Sequence, residues 1–177
     1  SDQLLALDYW IVRQCQLLQD EVVNHYHSYN FLSVYQKIHN FCVTELGGFY
    51  LDVIKDRQYT TQVDSRARRS TQTAMLQVVE MLSRMIAPIL SFTADEIWQH
   101  IPGDRVDSVF LSDFEEGHSA LEESGEFDDA FWRRILEVKT AVNRELEVQR
   151  AEKTVGSGLS AEVALFCDGQ LADDLAR

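Results

Sequence analysis

The chain has 177 residues, enough to bury a hydrophobic core, and its 45% apolar and 25% charged residues are typical of a soluble domain. It has no signal peptide and no apolar run near the roughly 20 residues that span a bilayer, so we do not expect a membrane protein. Its three widely spaced cysteines suit the reducing cytoplasm, so we do not expect a secreted protein held by disulfides. A net charge of −13 argues against nucleic-acid binding unless positive charge is gathered locally.

Two long amphipathic helices are predicted at the start of the chain. Apolar side chains recur every three or four residues over 3–29. Asn30 is a suitable N-cap for a second helix, whose apolar stripe runs on to Val53. Gly47-Gly48 interrupts this stripe at a cost of roughly 1 kcal/mol per glycine relative to alanine. Either the helix breaks there or a neighbouring helix approaches closely. Because the stripe stays in phase, we favour a continuous or kinked helix.

A third helix and a shorter fourth helix follow. Pro88 ends or bends the third, because proline has no backbone N–H to donate within a helix. The residues T-A-D-E at 93–96 form a capping box that opens the fourth helix, which places Trp98 in the core. Residues 103–126 lack helical periodicity and are acidic. We therefore expect an irregular connection, with one short extended piece at 109–111.

The rest of the chain predicts a long helix over 127–152, a strand over 161–167 and the start of a helix over 170–176. Helices joined by short loops pack antiparallel. The predicted fold is therefore mainly α: an up-and-down antiparallel helix bundle with a small, incomplete α+β appendage at its C-terminal end. The predicted division is 1–102 for the bundle, 103–126 for the acidic connection, and 127–177 for the long helix and the appendage.

Positive charge is gathered at one point of this acidic chain. Residues 104–129 hold ten acidic side chains against Arg105 alone, whereas residues 55–69 hold five basic side chains against two acidic ones. Because successive helices of a bundle alternate in direction, the end of the second helix and the start of the third lie at the same pole. We therefore expect one basic patch, consisting of Lys55, Arg57, Arg66, Arg68 and Arg69.

The basic patch has a structural and a functional interpretation. Lys55 and Arg57 would complement the negative end of a helix dipole, but arginines in the first turn of the next helix oppose its dipole. Locally unfavourable residues often mark function. Tyr59 adds an aromatic ring, as in sites that stack unpaired bases. We therefore predict nucleic-acid contact here, with Asp56 orienting an arginine and Tyr50 in the core.

Motifs for catalysis and metal binding do not occur. A di-iron bundle requires two E-x-x-H motifs, and none is present. The pairs Glu21/His25 and Glu96/His100 have no second partner at ligand spacing. There is no phosphate loop, nucleophile elbow or H-E-x-x-H motif. We expect no catalytic residue, metal site or cofactor in this chain.

Five segments of the chain carry a resemblance to a known family: F-Y-L-D-V-I-K-D-R-Q-Y-T (49–60), D-S-R-A-R-R-S (64–70), M-I-A-P-I-L-S-F-T-A-D-E-I-W (85–98), L-E-V-K-T-A-V-N-R-E-L-E (136–147) and K-T-V-G-S-G-L-S-A-E (153–162). They resemble the anticodon-binding region of bacterial isoleucyl-tRNA synthetases, which are class I enzymes. The likeness extends from about Leu7 to the end, and the part from Pro88 to Trp98 is shared more loosely with valyl and leucyl relatives. The tail departs from the family's usual V-G-x-S-L-E-A, with Gly158 for the serine and Ser160 for the glutamate.

The resemblance implies a non-catalytic piece of a monomeric, cytoplasmic isoleucine-tRNA ligase that holds the anticodon stem-loop of tRNA-Ile. The signatures H-I-G-H and K-M-S-K-S are missing. The full-length enzyme would use ATP and Mg²⁺, carry zinc in parts absent here, and place catalytic and editing domains and an R-N-T-x-R-F helix in the same polypeptide. The expected tRNA-binding residues are Lys55, Arg57, Tyr59, Arg66, Arg68 and Arg69, with Lys139, Arg144, Arg150 and Lys153 as a second candidate surface.

Two other classes of function remain open from the sequence. The bundle could be a protein-interaction module that docks through its acidic segment 104–129, which loss of a co-purifying partner on deleting that segment would favour. It could instead be a carboxylate metal protein, which elemental analysis would test. We favour tRNA binding, because the basic patch and the resemblance both indicate it.

Overall fold

The computed structural model describes residues 4–114, 127–156 and 160–176, with the backbone alone for Gln170. The chain divides into two units, Ser1–Glu122 and Glu123–Arg177. Regular structure in the described parts is helical throughout, and none of those residues forms a strand. The prediction of a mainly α protein is therefore confirmed.

The first unit is a helix bundle. Its elements are α1 (Ala6–His27), α2 (Phe31–Asn40), a π-helix (Phe41–Tyr50), α3 (Leu51–Val53), α4 (Lys55–Tyr59), α5 (Arg66–Ile86), α6 (Ser91–His100) and a 3₁₀ turn (Val109–Leu111). Helix α1 packs against both α2 and α5, and α5 packs in turn against α6. The α2 helix, the π-helix and α3 follow one another directly and form the second helical column, residues 31–53. Asp8, near the start of α1, accepts a hydrogen bond from Tyr50, near the end of this column, so α1 and the column run antiparallel.

Apolar periodicity builds the core as expected. Ile11, Cys15 and Val22 lie one or two turns apart on α1 and are fully buried. Asn30 caps α2, since its side chain accepts a hydrogen bond from the backbone N–H of Ser33. These parts of the sequence prediction are confirmed.

The second helical column is continuous, as predicted, but its middle is a π-helix. Neither a break nor a neighbouring helix explains the glycine pair. A Cβ atom on Gly47 would lie 2.9 Å from the carbonyl oxygen of Cys42, and one on Gly48 would lie 2.9 Å from that of Val43. Both oxygens belong to residues five positions earlier, the spacing of π-helical hydrogen bonds. Glycine is therefore required by the column's own backbone.

Replacing Gly48 with alanine is expected to lower the free energy of unfolding by about 1–3 kcal/mol, because backbone atoms would have to shift to admit the methyl group. Urea denaturation followed by circular dichroism would measure the change. Gly156→Ala is the control, since a Cβ atom there meets no other atom within 4 Å. Unchanged or increased stability in Gly48→Ala would show that this segment adopts ordinary α-helix without penalty.

The π-helix also leaves one residue of the predicted apolar stripe outside the core. Val53, expected on the buried stripe, is 46% exposed, whereas Ile54 is 2% exposed. A π-helix holds more residues per turn than an α-helix, so the phase of the following residues shifts. The expectation for Val53 was wrong for this reason.

Two local expectations for the region after Pro88 were also wrong. Helix α6 begins at Ser91 without a side-chain cap, so T-A-D-E is not a capping box. The carboxylate of Asp95 accepts hydrogen bonds instead from Ser108 Oγ at 2.6 Å and from the backbone N–H of Val109 at 3.0 Å. The piece expected to be extended at 109–111 is a 3₁₀ turn.

The second unit contains α7 (Asp129–Ala151) and α8 (Gly169–Leu175). Asp128 caps α7, and an ion pair of 2.5 Å joins Arg134 of α7 to the buried Asp174 of α8. Both helices were predicted. The strand expected at 161–167 is not formed, so the β part of the appendage is not confirmed.

The acidic connection is only partly described. Residues 103–114 belong to the first unit, and residues 115–126 lie outside the described parts. The predicted division of the chain at 102 and 126 stays a prediction. None of the helices described here is both long and apolar enough to cross a membrane.

Candidate nucleic-acid interface

A buried carboxylate ties three helical segments together below the basic patch. Asp8 of α1 is 0% exposed. Its Oδ1 accepts a hydrogen bond from Tyr50 Oη at 2.7 Å and from Thr71 Oγ1 at 3.2 Å, and its Oδ2 accepts one from Ser70 Oγ at 2.5 Å. Burial, together with the hydrogen bond to Asp8, raises the pKa of Tyr50 well above its usual range. Asp8 therefore fixes the start of α5 and the end of the π-helix against α1.

Arg57 is the charged partner of this carboxylate. Its Nη1 lies 3.4 Å from Asp8 Oδ2, and its side chain is 28% exposed. We predicted that Asp56 would orient an arginine of the patch, but the carboxylate that holds Arg57 is Asp8, 49 residues away in sequence. The charge of Arg57 is therefore largely compensated within the fold.

Lys55 has a different environment at the surface. Its Nζ lies 2.7 Å from the carboxylate of Asp52, and both side chains are exposed. The hydrogen bond to Asp52 raises the pKa of Lys55. Because water competes for an exposed pair, this contact does not commit Lys55 to one partner.

The three arginines of the first turn of α5 carry the uncompensated charge of the basic patch. Arg66 and Arg69 are exposed, and Arg68 is half-buried. Among the described residues, no ion pair joins any of the three to a carboxylate, and the first turn of α5 contains no acidic residue. Ser65 caps the helix by accepting a hydrogen bond from the backbone N–H of Arg68. The positive end of the helix dipole and these guanidinium groups add their fields at this point.

The structure brings the expected residues of the basic patch to one end of the bundle. Helix α4 packs against α5. Arg57 and Ser70 meet on the same carboxylate, and Ser70 directly follows Arg69. Tyr59, at the end of α4, is 85% exposed. Contact of these residues with tRNA stays a prediction, whereas Tyr50 and Trp98 are in the core as expected.

The second candidate surface is less coherent. Arg144 lies about 140° around α7 from Lys139, since each residue turns the helix by about 100°. Arg150 forms an exposed ion pair of 2.5 Å with Glu147, one turn earlier. Lys153 follows the end of α7 and has a positive φ of 61°. The four side chains therefore do not share one face of the helix.

Other titratable groups in the described parts of the chain do not assemble into a metal centre. No group of three or more His, Cys, Asp or Glu side chains there is arranged to hold a metal ion. Cys42 and Glu45 are half-buried in the π-helix, and burial raises the pKa of both. Residues 115–126 of the acidic segment 104–129 lie outside the described residues.

The Asp8 network is the feature that the sequence interpretation missed. One signal was present, because Asp8 lies beside Leu7 and three residues before Ile11, both on the predicted apolar stripe. A carboxylate at such a position has to be paired or hydrogen-bonded when it is buried. The sequence does not show which residues supply those partners.

Comparison with known proteins shows similarity along the whole chain. The family model described as "Anticodon-binding domain of tRNA ligase" matches residues 8–165. The chain is 57% identical over 177 residues to the isoleucine--tRNA ligase of Pseudomonas fluorescens (strain Pf0-1), and 55% identical over 177 residues to that of Stutzerimonas stutzeri (strain A1501). It is 56% identical over 176 residues, 99% of the chain, to that of Pseudomonas putida (strain W619). The chain spans 19% of the length of each of these curated relatives.

Proposed function

This chain belongs to the anticodon-binding domain family of tRNA ligases, and from that premise we propose that it holds the anticodon stem-loop of tRNA-Ile through its basic patch. The observation that carries the choice of surface is the pair of exposed arginines, Arg66 and Arg69, that have no carboxylate partner among the described residues. Phosphate binding depends on such local charge, even in a chain whose net charge is −13.

The rest of the patch suits a looped RNA. Unpaired bases expose faces that stack on aromatic rings, and the 85% exposed Tyr59 offers such a ring beside the arginines. Lys55 can exchange its exposed partner Asp52 for a phosphate. The patch therefore combines backbone-binding charge with one stacking platform.

The activity of the whole protein is part of the same proposal. The relatives are isoleucine--tRNA ligases, and this chain spans 19% of their length. We infer a monomeric cytoplasmic enzyme that uses ATP and Mg²⁺ to activate isoleucine and transfers it to tRNA-Ile. Its catalytic and editing domains belong to the same polypeptide, and its zinc is held in parts of the enzyme outside this chain. The residues described here supply no set of three metal ligands, and the role of this domain is to bind RNA without reacting with it.

Replacing Arg66 and Arg69 together with glutamine is expected to weaken binding of the chain to an RNA hairpin with the anticodon stem-loop sequence of tRNA-Ile at least tenfold at low salt. The association constant falls with rising salt, and each phosphate contact contributes about 0.7 to the steepness of log K against log salt for single strands. Loss of two contacts should therefore make this slope shallower by about 1.4. Fluorescence anisotropy over a salt series would measure both quantities.

The matched control is the double variant Lys37→Gln, Arg133→Gln, which removes the same charge from two residues that do not belong to the basic patch. Its binding and salt slope should change little. An equal loss in both double variants would show that only net charge matters. No loss in the Arg66, Arg69 variant would remove the patch from the RNA surface.

A further inference from the structure

Arg57 differs from every other cation of the basic patch in how it is held. One nitrogen of its guanidinium contacts Asp8, and Asp8 is fixed by hydroxyl groups from two other helical segments. The guanidinium is planar, and this single contact of 3.4 Å restrains it while leaving its other N–H donors available. Arg66 and Arg69 have no comparable support among the described residues.

The ion pair also changes what Arg57 can recognise. The pair with Asp8 is close to neutral, so it attracts a phosphate much less than a free arginine does. Its 28% exposed side chain has no acceptor for Nε or Nη2 among the described residues. A restrained set of N–H donors with small net charge suits the acceptor atoms of a nucleobase edge, which arginine contacts most often on guanine.

We propose that Arg57 reads a nucleobase of the bound loop and that Asp8 is the residue that positions it. This inference rests on the proposed function and divides the patch into two parts. Arg66 and Arg69 bind the RNA backbone irrespective of sequence, whereas the Asp8–Arg57 pair distinguishes one base from another. Sequence discrimination therefore depends on a carboxylate that never touches RNA.

The first test replaces Arg57 with lysine, which keeps the charge but loses the planar set of donors. Binding would be compared for the tRNA-Ile anticodon hairpin and for hairpins with each anticodon nucleotide replaced in turn. At one anticodon position, the affinity for the tRNA-Ile hairpin divided by the affinity for the hairpin replaced at that position is expected to fall by on the order of tenfold. The salt dependence of binding should stay unchanged. Arg133→Lys is the control, and it should leave both the ratio and the slope as they are.

The second test replaces Asp8 with asparagine and leaves Arg57 in place. Removing the carboxylate frees the charge of Arg57, so the salt slope should become steeper by about 0.7 while discrimination at the same position falls. A purely structural role for Asp8 would lower stability or weaken binding to all hairpins without steepening the slope. If Asp8→Asn does not fold, the Arg57→Lys result alone decides.

The outcomes separate this inference from the proposed function. If the parent chain binds and discriminates among hairpins but Arg57→Lys keeps its ratios, the base-reading role is overturned and the proposed function stands. If Arg57→Lys loses affinity equally for every hairpin, Arg57 binds the backbone and the inference also fails. If the parent chain binds none of the hairpins at low salt, both the proposed function and the inference fall.

Discussion

Replacing Asp8 with alanine is expected to lower the free energy of unfolding by roughly 3–5 kcal/mol, because it leaves Arg57 without its partner. The loss extends to the hydroxyl groups of Tyr50, Ser70 and Thr71, which donate to the same carboxylate. A buried donor that loses its acceptor costs about 1–3 kcal/mol. Urea denaturation monitored by circular dichroism would measure the change.

Two further variants make this prediction specific. Asp8→Asn should be intermediate, because the amide oxygen still accepts hydrogen bonds while the charge and the second acceptor oxygen are lost. Asp20→Ala removes an exposed carboxylate from the same helix and should change stability by no more than about 0.5 kcal/mol. A loss below about 1 kcal/mol in Asp8→Ala would show that water replaces the carboxylate, and that the network does not hold the helices together.

Replacing Trp98 with alanine is the second large effect, with an expected loss of roughly 3–5 kcal/mol. Trp98 is 2% exposed, and its indole N–H donates to the carbonyl oxygen of Val106 at 2.9 Å. The guanidinium groups of Arg84 and Arg105 lie 5.1 Å and 5.0 Å from its ring centroid. Removing the indole therefore removes apolar burial, a hydrogen bond and two cation–π contacts at once.

Trp98→Ala should also loosen one segment of the chain, the residues that follow α6. Arg105 also contacts Glu80 of α5 at 3.0 Å, so Trp98 and Arg105 together fasten the residues after α6 to the bundle. Limited proteolysis of Trp98→Ala is expected to cut first within 102–112. Phe92→Ala, in the same helix, is the control because Phe92 is 94% exposed. If Trp98→Ala is as stable and as resistant to protease as Phe92→Ala, the segment is held by other contacts.

Asp8→Ala and Trp98→Ala are expected to differ in their effect on RNA binding. Asp8 lies directly below the basic patch, whereas Trp98 belongs to a separate cluster with Ala87, Ala94 and Ile101. Asp8→Ala should therefore alter RNA recognition at temperatures where the chain remains folded. Trp98→Ala should lower stability without changing the preference among hairpins.

The family and the order of the helices were determined by the sequence alone. Periodic apolar residues specify an amphipathic helix through neighbours three and four positions apart, so α1, α5 and α7 could be predicted without knowledge of the fold. The family could be identified for a similar reason, because a sequence motif such as that of residues 49–60 consists of neighbouring residues in the chain. The grouping of charge over 55–69 was likewise visible in the sequence.

Only the tertiary structure decided how that charge is used. Arg57 and Arg66 look equivalent in the sequence, yet Arg57 is paired with Asp8, and no carboxylate of the described residues pairs with Arg66. The difference depends on a contact across 49 residues, which periodicity cannot report. The exposure of Val53 has a similar origin, because it follows from the π-helical backbone around a glycine pair. Charge compensation and helix phase depend on three-dimensional neighbours, whereas amphipathic pattern depends on the local chain.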